Sequence, residues 1–181
     1  LVSGVEGIQA HTETLWKLFE DYHIPVVIFI NKTDREGADY QQVVAQLRQK
    51  LSENCLDFMQ GPFTDEIVEE LAQRDDELLE YYLDEEIIPE KWIPHVQRLL
   101  LERKIFPCFG GSALQDDGIE EFLRYFHDLT VTEYEDLVQN EPAARVYKVR
   151  RDFQGNRLAY LKVTEGKLSV KDLLTYTDSK S

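Results

Sequence analysis

The sequence predicts an α/β protein: an incomplete parallel sheet with helices packed on it, carrying a helical acidic insert and followed by the first strands of a β-barrel. Three observations carry that prediction. A continuous apolar, β-branched run, Pro25 to Ile30, lies between two amphipathic helical patterns, as a strand does when a parallel sheet is covered on both faces. A second such run, Ile105 to Phe109, again leads through a polar loop into a helical pattern. From Arg145 onward the period changes to short alternating runs separated by Gly155-Asn156 and Glu165-Gly166.

Taken in order, Leu1-Val2-Ser3-Gly4 reads as the tail of a buried strand already under way, so the chain is read as an internal fragment. Leu15, Leu18, Phe19 and Tyr22 mark the inward face of the first helix. After Pro25–Ile30 and Asn31-Lys32-Thr33-Asp34, a second helix follows with Tyr40, Val43, Val44, Leu47 and Leu51 inward. A strand is expected over Leu56 to Met59, with a turn at Gly61-Pro62. A helix then starts at Thr64, its stripe of Ile67, Val68, Leu71, Leu78, Leu79 and Tyr82 broken in the middle. Another helix begins near Pro89 with Trp92, Ile93, Val96, Leu99 and Leu100 inward, and Pro94 within its first turn and a half. Beyond Ser112-Ala113-Leu114, Asp116 precedes a helix with Ile119, Phe122, Leu123 and Phe126 on one face. Arg145–Val149, Arg157–Val163 and Lys167–Val170 read as hairpin strands, about four being expected over 141–181.

Composition narrows the function. The 181 residues carry 35 Asp and Glu against 20 Lys and Arg, a net charge of −15, the wrong sign for gripping nucleic acid directly. Residues 54–103 hold 14 of the acids and only 4 of the bases, which marks them as a separate insert with a solvated acidic face. Cys55 and Cys108 fit no metal or redox spacing, and the longest apolar run, Ile24 to Ile30, is too short to span a bilayer. A reducing, cytoplasmic setting is the expectation, with no membrane partner.

Asn31-Lys32-Thr33-Asp34 matches the N-K-x-D pattern that reads guanine, and it stands at the carboxyl end of a strand, where open α/β sheets bind ligands. Ser112-Ala113 also follows an apolar strand, the run from Ile105 to Phe109, and precedes a helix. A carboxylate at Asp34 accepts from both the ring N–H and the exocyclic amine of guanine, which adenine does not offer. Lys32 lays its stem along the base, and a backbone N–H near Ala113 donates to the guanine carbonyl. The plainer alternative makes Asn31 a cap of the following helix and Asp34 a solvated loop acid.

Ser3 to Thr14, with Phe29 to Asp39, resembles the back half of the GTP-binding domain of the elongation factor G family. Pro107 to Gly118 is similar to that family's serine–alanine loop, and Arg157 to Gly166 to the early strands of its β-barrel second domain. The compact insert and the Arg-Leu-Ala-Tyr segment lean toward the tetracycline-resistance ribosomal protection branch. The resemblance implies a P-loop-NTPase-like sheet, with residues 1–137 as the carboxyl-terminal half of the GTP-binding domain, the insert at about 54–103, and 141–181 as the start of the barrel. It implies a ribosome-associated GTPase binding GTP or GDP, with the guanine site formed by Asn31, Lys32, Asp34, Ser112, Ala113 and Leu114.

No G-x-x-x-x-G-K-[ST] phosphate loop and no D-x-P-G-H segment occurs in the 181 residues. The resemblance therefore assigns no catalytic or metal residue here. It places Mg2+ and hydrolysis in parts of the parent outside this chain, and the ribosome as partner of that parent. His11, His23, His95 and His127 form no catalytic pair, and Asp75-Asp76-Glu77 and Asp84-Glu85-Glu86 read as a solvated helix face. Arg150, Arg151 and Arg157 are the basic cluster, read either as an RNA contact of the parent or as ordinary surface charge. Truncated sheet edges predict self-association. A different class of function stays open, a non-enzymatic interaction module whose acidic helical insert docks a basic partner.

Overall fold

The computed structural model describes residues 1–131 and 141–173, and the chain divides into two units, Leu1–Val131 and Thr132–Ser181. In the first unit the elements are β1 (Val2–Ser3), α1 (Ala10–Asp21), β2 (Ile28–Asn31), α2 (Tyr40–Lys50) and β3 (Cys55–Asp57), then α3 (Asp65–Ala72), α4 (Asp76–Leu83), α5 (Pro89–Leu101), β4 (Phe106–Gly111) and α6 (Ile119–Leu129). The four strands run parallel in the order β1-β2-β4-β3. Because side chains alternate along a strand, β2 and β4 feed two layers at once. Ile28, Ile30, Phe106 and Cys108 join Trp16 of α1 and Val43, Val44 and Leu47 of α2 on one face. Phe29 and Phe109 join Leu71, Trp92, Val96, Leu99 and Leu129 on the other. Covered on both sides, the two central strands are buried, which is why they read as unbroken apolar runs.

The acidic stretch 54–103 does not stand apart, as its charge implied. It supplies edge strand β3, and α3 and α5 pack against the sheet together with α6. Its carboxylates occupy the outer helix faces, while Val68, Leu71, Trp92, Val96 and Leu99 are fully buried, each contributing roughly 1.5–3 kcal/mol on the usual transfer scale. The edge at β3 is protected by Arg48, whose Nε donates to the Cys55 carbonyl at 2.8 Å.

Several sequence expectations shift. Residues 25–27 leave the strand, since Ile28 is the first residue of β2 with a partner on β4. The strand expected at Leu56–Met59 runs one residue earlier and stops at Asp57. The inward face of α1 is Leu15, Trp16 and Phe19, with Leu18 and Tyr22 exposed, because the helix is rotated to pack Trp16 edge-on against Phe106 at 4.7 Å between centroids. The broken stripe after Thr64 is two helices. Thr64 caps α3 and Asp75 caps α4, its Oδ1 accepting from the Glu77 and Leu78 N–H groups at 3.2 Å, and the restart leaves Leu79 and Tyr82 outside. On α6 the inward residues are Ile119, Phe122, Tyr125 and Leu129, whereas Leu123 and Phe126 are exposed. Pro94 lies within α5 at its sixth residue, near enough the start to lose only one early hydrogen bond.

The second unit contains the antiparallel pair β5 (Ala143–Arg151) and β6 (Arg157–Glu165), with an irregularity between Val146 and Lys148. Asp152 closes the turn by accepting from the Gln154 and Asn156 N–H groups at 2.8 Å, with Gly155 at φ +86. Residues 167–170 form no strand, so of the three runs read as strands only the first two pair among the described residues. The boundary placed at 137–141 falls largely outside the described residues, as does the tail from 174. Among the described residues no helix is long and apolar enough to cross a membrane.

Candidate functional site

Strands β2 and β4 end side by side, Asn31 opposite Gly111, so the loops that leave them start as neighbours. Parallel pairing imposes this: both carboxyl ends face the same way, and everything read as guanine-recognising follows one end or the other. The loops are then tied together. The Asn31 Oδ1 accepts from the Lys32 N–H at 2.8 Å and from the Ala113 N–H at 3.0 Å, and the Thr33 N–H donates to the Gly111 carbonyl at 3.3 Å. Asn31 is thus a clamp between loops and not a helix cap, since Asp39 caps α2 by accepting from the Gln42 N–H.

Close approach on the β4 side requires glycine. A Cβ at Gly111 would lie 2.3 Å from the Asp117 carbonyl oxygen, a contact no side chain tolerates. That proximity lets the 112–117 loop close on itself, the Ser112 N–H donating to the Asp117 carbonyl at 3.0 Å while Ser112 Oγ accepts from the Gln115 N–H at 3.3 Å. Ser112 is buried as a result, and Ala113 and Leu114 are presented outward. Lys32 adopts φ +68 in the tight bend after Asn31, and Asp34 is exposed. The Asp34 carboxylate and the Lys32 ammonium make no hydrogen bond or ion pair among the described residues, and neither does the Leu114 N–H. Ala113's own N–H is engaged by Asn31, which leaves the Leu114 N–H as the unengaged amide beside it.

Sequence reasoning saw Tyr40 only as one residue of an apolar stripe. Its hydroxyl donates to Asp57 Oδ1 at 2.6 Å and lies 3.0 Å from the Cys108 carbonyl. The Gln41 Nε2 and Met59 N–H groups donate to the same Asp57 carboxylate. Burial, reinforced by the hydrogen bond to Asp57, pushes the Tyr40 phenol well above its usual range, so it stays a neutral donor. The network pins the start of α2 to the ends of β3 and β4 and supports the loop platform from below. Cys55 and Cys108 face the same layer on adjacent strands. The Cys108 Sγ donates to the Phe106 carbonyl at 3.4 Å, and the neighbouring Cys55 thiol together with burial raises Cys108, which is shielded from solvent. Among the described residues no group of three His, Cys, Asp or Glu side chains is arranged to hold a metal ion.

Comparison with known proteins gives three findings. The family described as the elongation factor Tu GTP binding domain matches residues 1–132. Tetracycline resistance protein TetW of Butyrivibrio fibrisolvens is 32% identical over 186 residues, covering 95% of this chain and 28% of the relative. An elongation factor G of Dehalococcoides mccartyi is 29% identical over 164 residues, covering 66% and 24%. A crystal structure of a Thermus thermophilus protein superposes with a TM-score of 0.77 at 23% identity, over 94% of this chain and 32% of that one. The chain spans less than a third of the length of each of these proteins.

Proposed function

The chain belongs to the elongation factor Tu GTP-binding domain family, and on that premise we propose that its two clamped loops read the guanine base of GTP or GDP within a ribosome-associated translational GTPase. The observation that carries the reading is the bond from the Ala113 N–H to the Asn31 Oδ1, which joins loops 82 residues apart while leaving three recognition groups free. Asp34 accepts from guanine N1–H and its exocyclic amine, two charge-assisted hydrogen bonds of roughly 1.5–3 kcal/mol each. The Lys32 stem covers the base plane. The Leu114 N–H donates to the guanine carbonyl, and adenine, which carries a donor amine there, is repelled.

Hydrolysis needs a phosphate cradle and a positioned water, and the 181 residues contain no phosphate-loop motif. The proposal therefore gives this chain base selection and gives phosphate binding, Mg2+ and GTP hydrolysis to other parts of the protein. Elongation and tetracycline resistance, the roles named for the relatives, are the roles proposed for the whole. Residues 1–137 are proposed as the carboxyl-terminal half of the GTP-binding domain and 141–181 as the start of a barrel.

Titrating the 15N-labelled chain with GDP and ADP tests the reading at the weak affinity that base contacts alone provide. GDP is expected to shift the amide signals of Lys32 and Leu114, ADP to leave them in place, and Asp34→Asn to exchange the GDP response for one to xanthosine diphosphate. Equal shifts with ADP, or GDP shifts confined to other residues, refute it.

A further inference from the structure

We infer that Tyr40 is a positioning residue for guanine recognition, a second clamp below Asn31 that holds the end of one base-reading loop against the root of the other. This role rests on the guanine reading above and adds to it the side chain that sets the spacing of the two loops. The 32–39 loop leaves β2 at Asn31 and ends where Asp39 caps α2, so Tyr40 is the first helical residue after it. The 112–117 loop leaves β4 through Gly110 and Gly111. The Tyr40 ring lies so close to the first of these glycines that a Cβ at Gly110 would stand 2.6 Å from its Cδ2 and 2.7 Å from its Cε2. The same ring carries the hydroxyl to 2.6 Å from Asp57 Oδ1 and 3.0 Å from the Cys108 carbonyl. One side chain at the foot of the first loop thus meets β4 at Cys108 and at Gly110, and β3 at Asp57.

A phenylalanine would supply the ring contact, so the hydroxyl is the informative part. Its acceptor is a fixed anchor. Asp57 takes the Tyr40 hydroxyl and the Met59 N–H, at 3.0 Å, on Oδ1, and the Gln41 Nε2 at 2.9 Å on Oδ2. Tyr40 and Gln41 are consecutive, so the first two residues of α2 reach one carboxylate, which fixes both the height and the rotation of the helix start. The Cys108 carbonyl has a donor of its own in the Phe58 N–H at 2.8 Å. Removing the Tyr40 hydroxyl therefore orphans no backbone group and cuts only the tie between α2 and the strands. The Asn31 clamp alone joins the loops at one point, about which they can still turn; the second hold, below it, fixes their angle. Contacts from Asp34 and Leu114 must reach one base together, and holding them preformed removes an ordering cost from binding.

The test uses the 15N-labelled 181-residue chain titrated with GDP, with a thermal melt of every variant. Tyr40→Phe is expected to raise the Kd for GDP roughly fivefold, the scale of one net hydrogen bond, and to move the Gly111 and Leu114 amide signals in the free chain. Asp57→Ala is expected to raise it at least as far. Asp57→Asn keeps an oxygen for the Tyr40 hydroxyl and is expected to recover the parent Kd to within about twofold. Tyr40→Phe combined with Asp57→Ala is expected to bind no more weakly than Asp57→Ala alone, because both cut the same bond. A Tyr40→Phe chain that melts lower yet binds GDP as the parent does gives Tyr40 a purely structural role and overturns the inference. An asparagine variant as weak as the alanine one, or additive losses in the double variant, also overturns it. Absence of any GDP response in the parent chain removes the guanine reading and this role with it, whereas a parent response left unchanged by Tyr40→Phe removes this role alone.

Discussion

Replacing Asn31 by alanine removes one acceptor that serves two donors, the N–H groups of Lys32 and Ala113. Each such hydrogen bond contributes about 0.5–1.5 kcal/mol net, and Ala113 is exposed enough for water to take over its N–H, so the combined loss is about 2 kcal/mol. The conservative partner experiment is Asn31→Asp. Both bonds use the Oδ1 oxygen, which aspartate retains, so this variant is expected to stay within about 1 kcal/mol of the parent. Urea unfolding followed by tryptophan fluorescence reads the result directly, since Trp16 and Trp92 are both buried in the unit that contains the loops. With a slope of about 2 kcal/mol/M for a unit of this size, Asn31→Ala lowers the midpoint by about 1 M. If the aspartate variant falls as far as the alanine variant, or the alanine variant unfolds at the parent midpoint, the clamp does not hold the loops together and the argument for a preformed base site fails.

Two further outcomes follow from the same geometry. Burial pulls the Asp75 carboxyl upward, but the hydrogen bonds from Arg98 and the Leu78 N–H, with the charges of Arg98 and His95, outweigh it and hold the group below the usual carboxylate range. A depressed folded pKa adds stability that is complete above the unfolded value of about 3.9 and is lost as pH falls through the folded one. Asp75→Asn is thus expected to lower the melting temperature at pH 7 and to flatten the decline below about pH 4, a pH series of thermal melts being the check. The purified chain is expected to release no phosphate from GTP above a protein-free blank; turnover that disappears in Asp34→Ala contradicts the assignment of hydrolysis to other parts of the protein.

What the sequence made legible was local. The apolar run ending at Ile30 and the polar tetrapeptide after it are contiguous, so strand, carboxyl end and loop were readable together, and the second run to Phe109 repeated the signal. Pairings across long separations were not. Asn31 looked like a base contact or a cap, because nothing near it in sequence announces the Ala113 N–H as its partner. Cys55 and Cys108 looked unrelated for the same reason, and only the register of β3 on β4 makes them neighbours. Helix phase failed more subtly. Leu18 and Trp16 are both apolar residues on α1, and the choice of Trp16 for the core is made by Phe106, a residue of a different strand. Net charge misled at 54–103, since it reports the outer faces of helices and says nothing of leucines and a tryptophan beneath them.

Because α3 and α5, together with α6, cover one face of β2 and β4, the acidic segment cannot be excised as a module while the loops at the strand ends are left in place. The two are thermodynamically one body. Whatever holds the loops slows the opening of the sheet beneath them, and a ligand at Asp34 and Leu114 reports itself as retarded amide exchange in helices that it never touches. Conversely, a lesion as remote as Trp92→Ala, which empties the far layer, weakens the platform on which Asn31 and Gly111 meet. Sequence drift on the outer faces of these helices is free to follow partners and charge, while their inner faces answer to the same constraint as the strands.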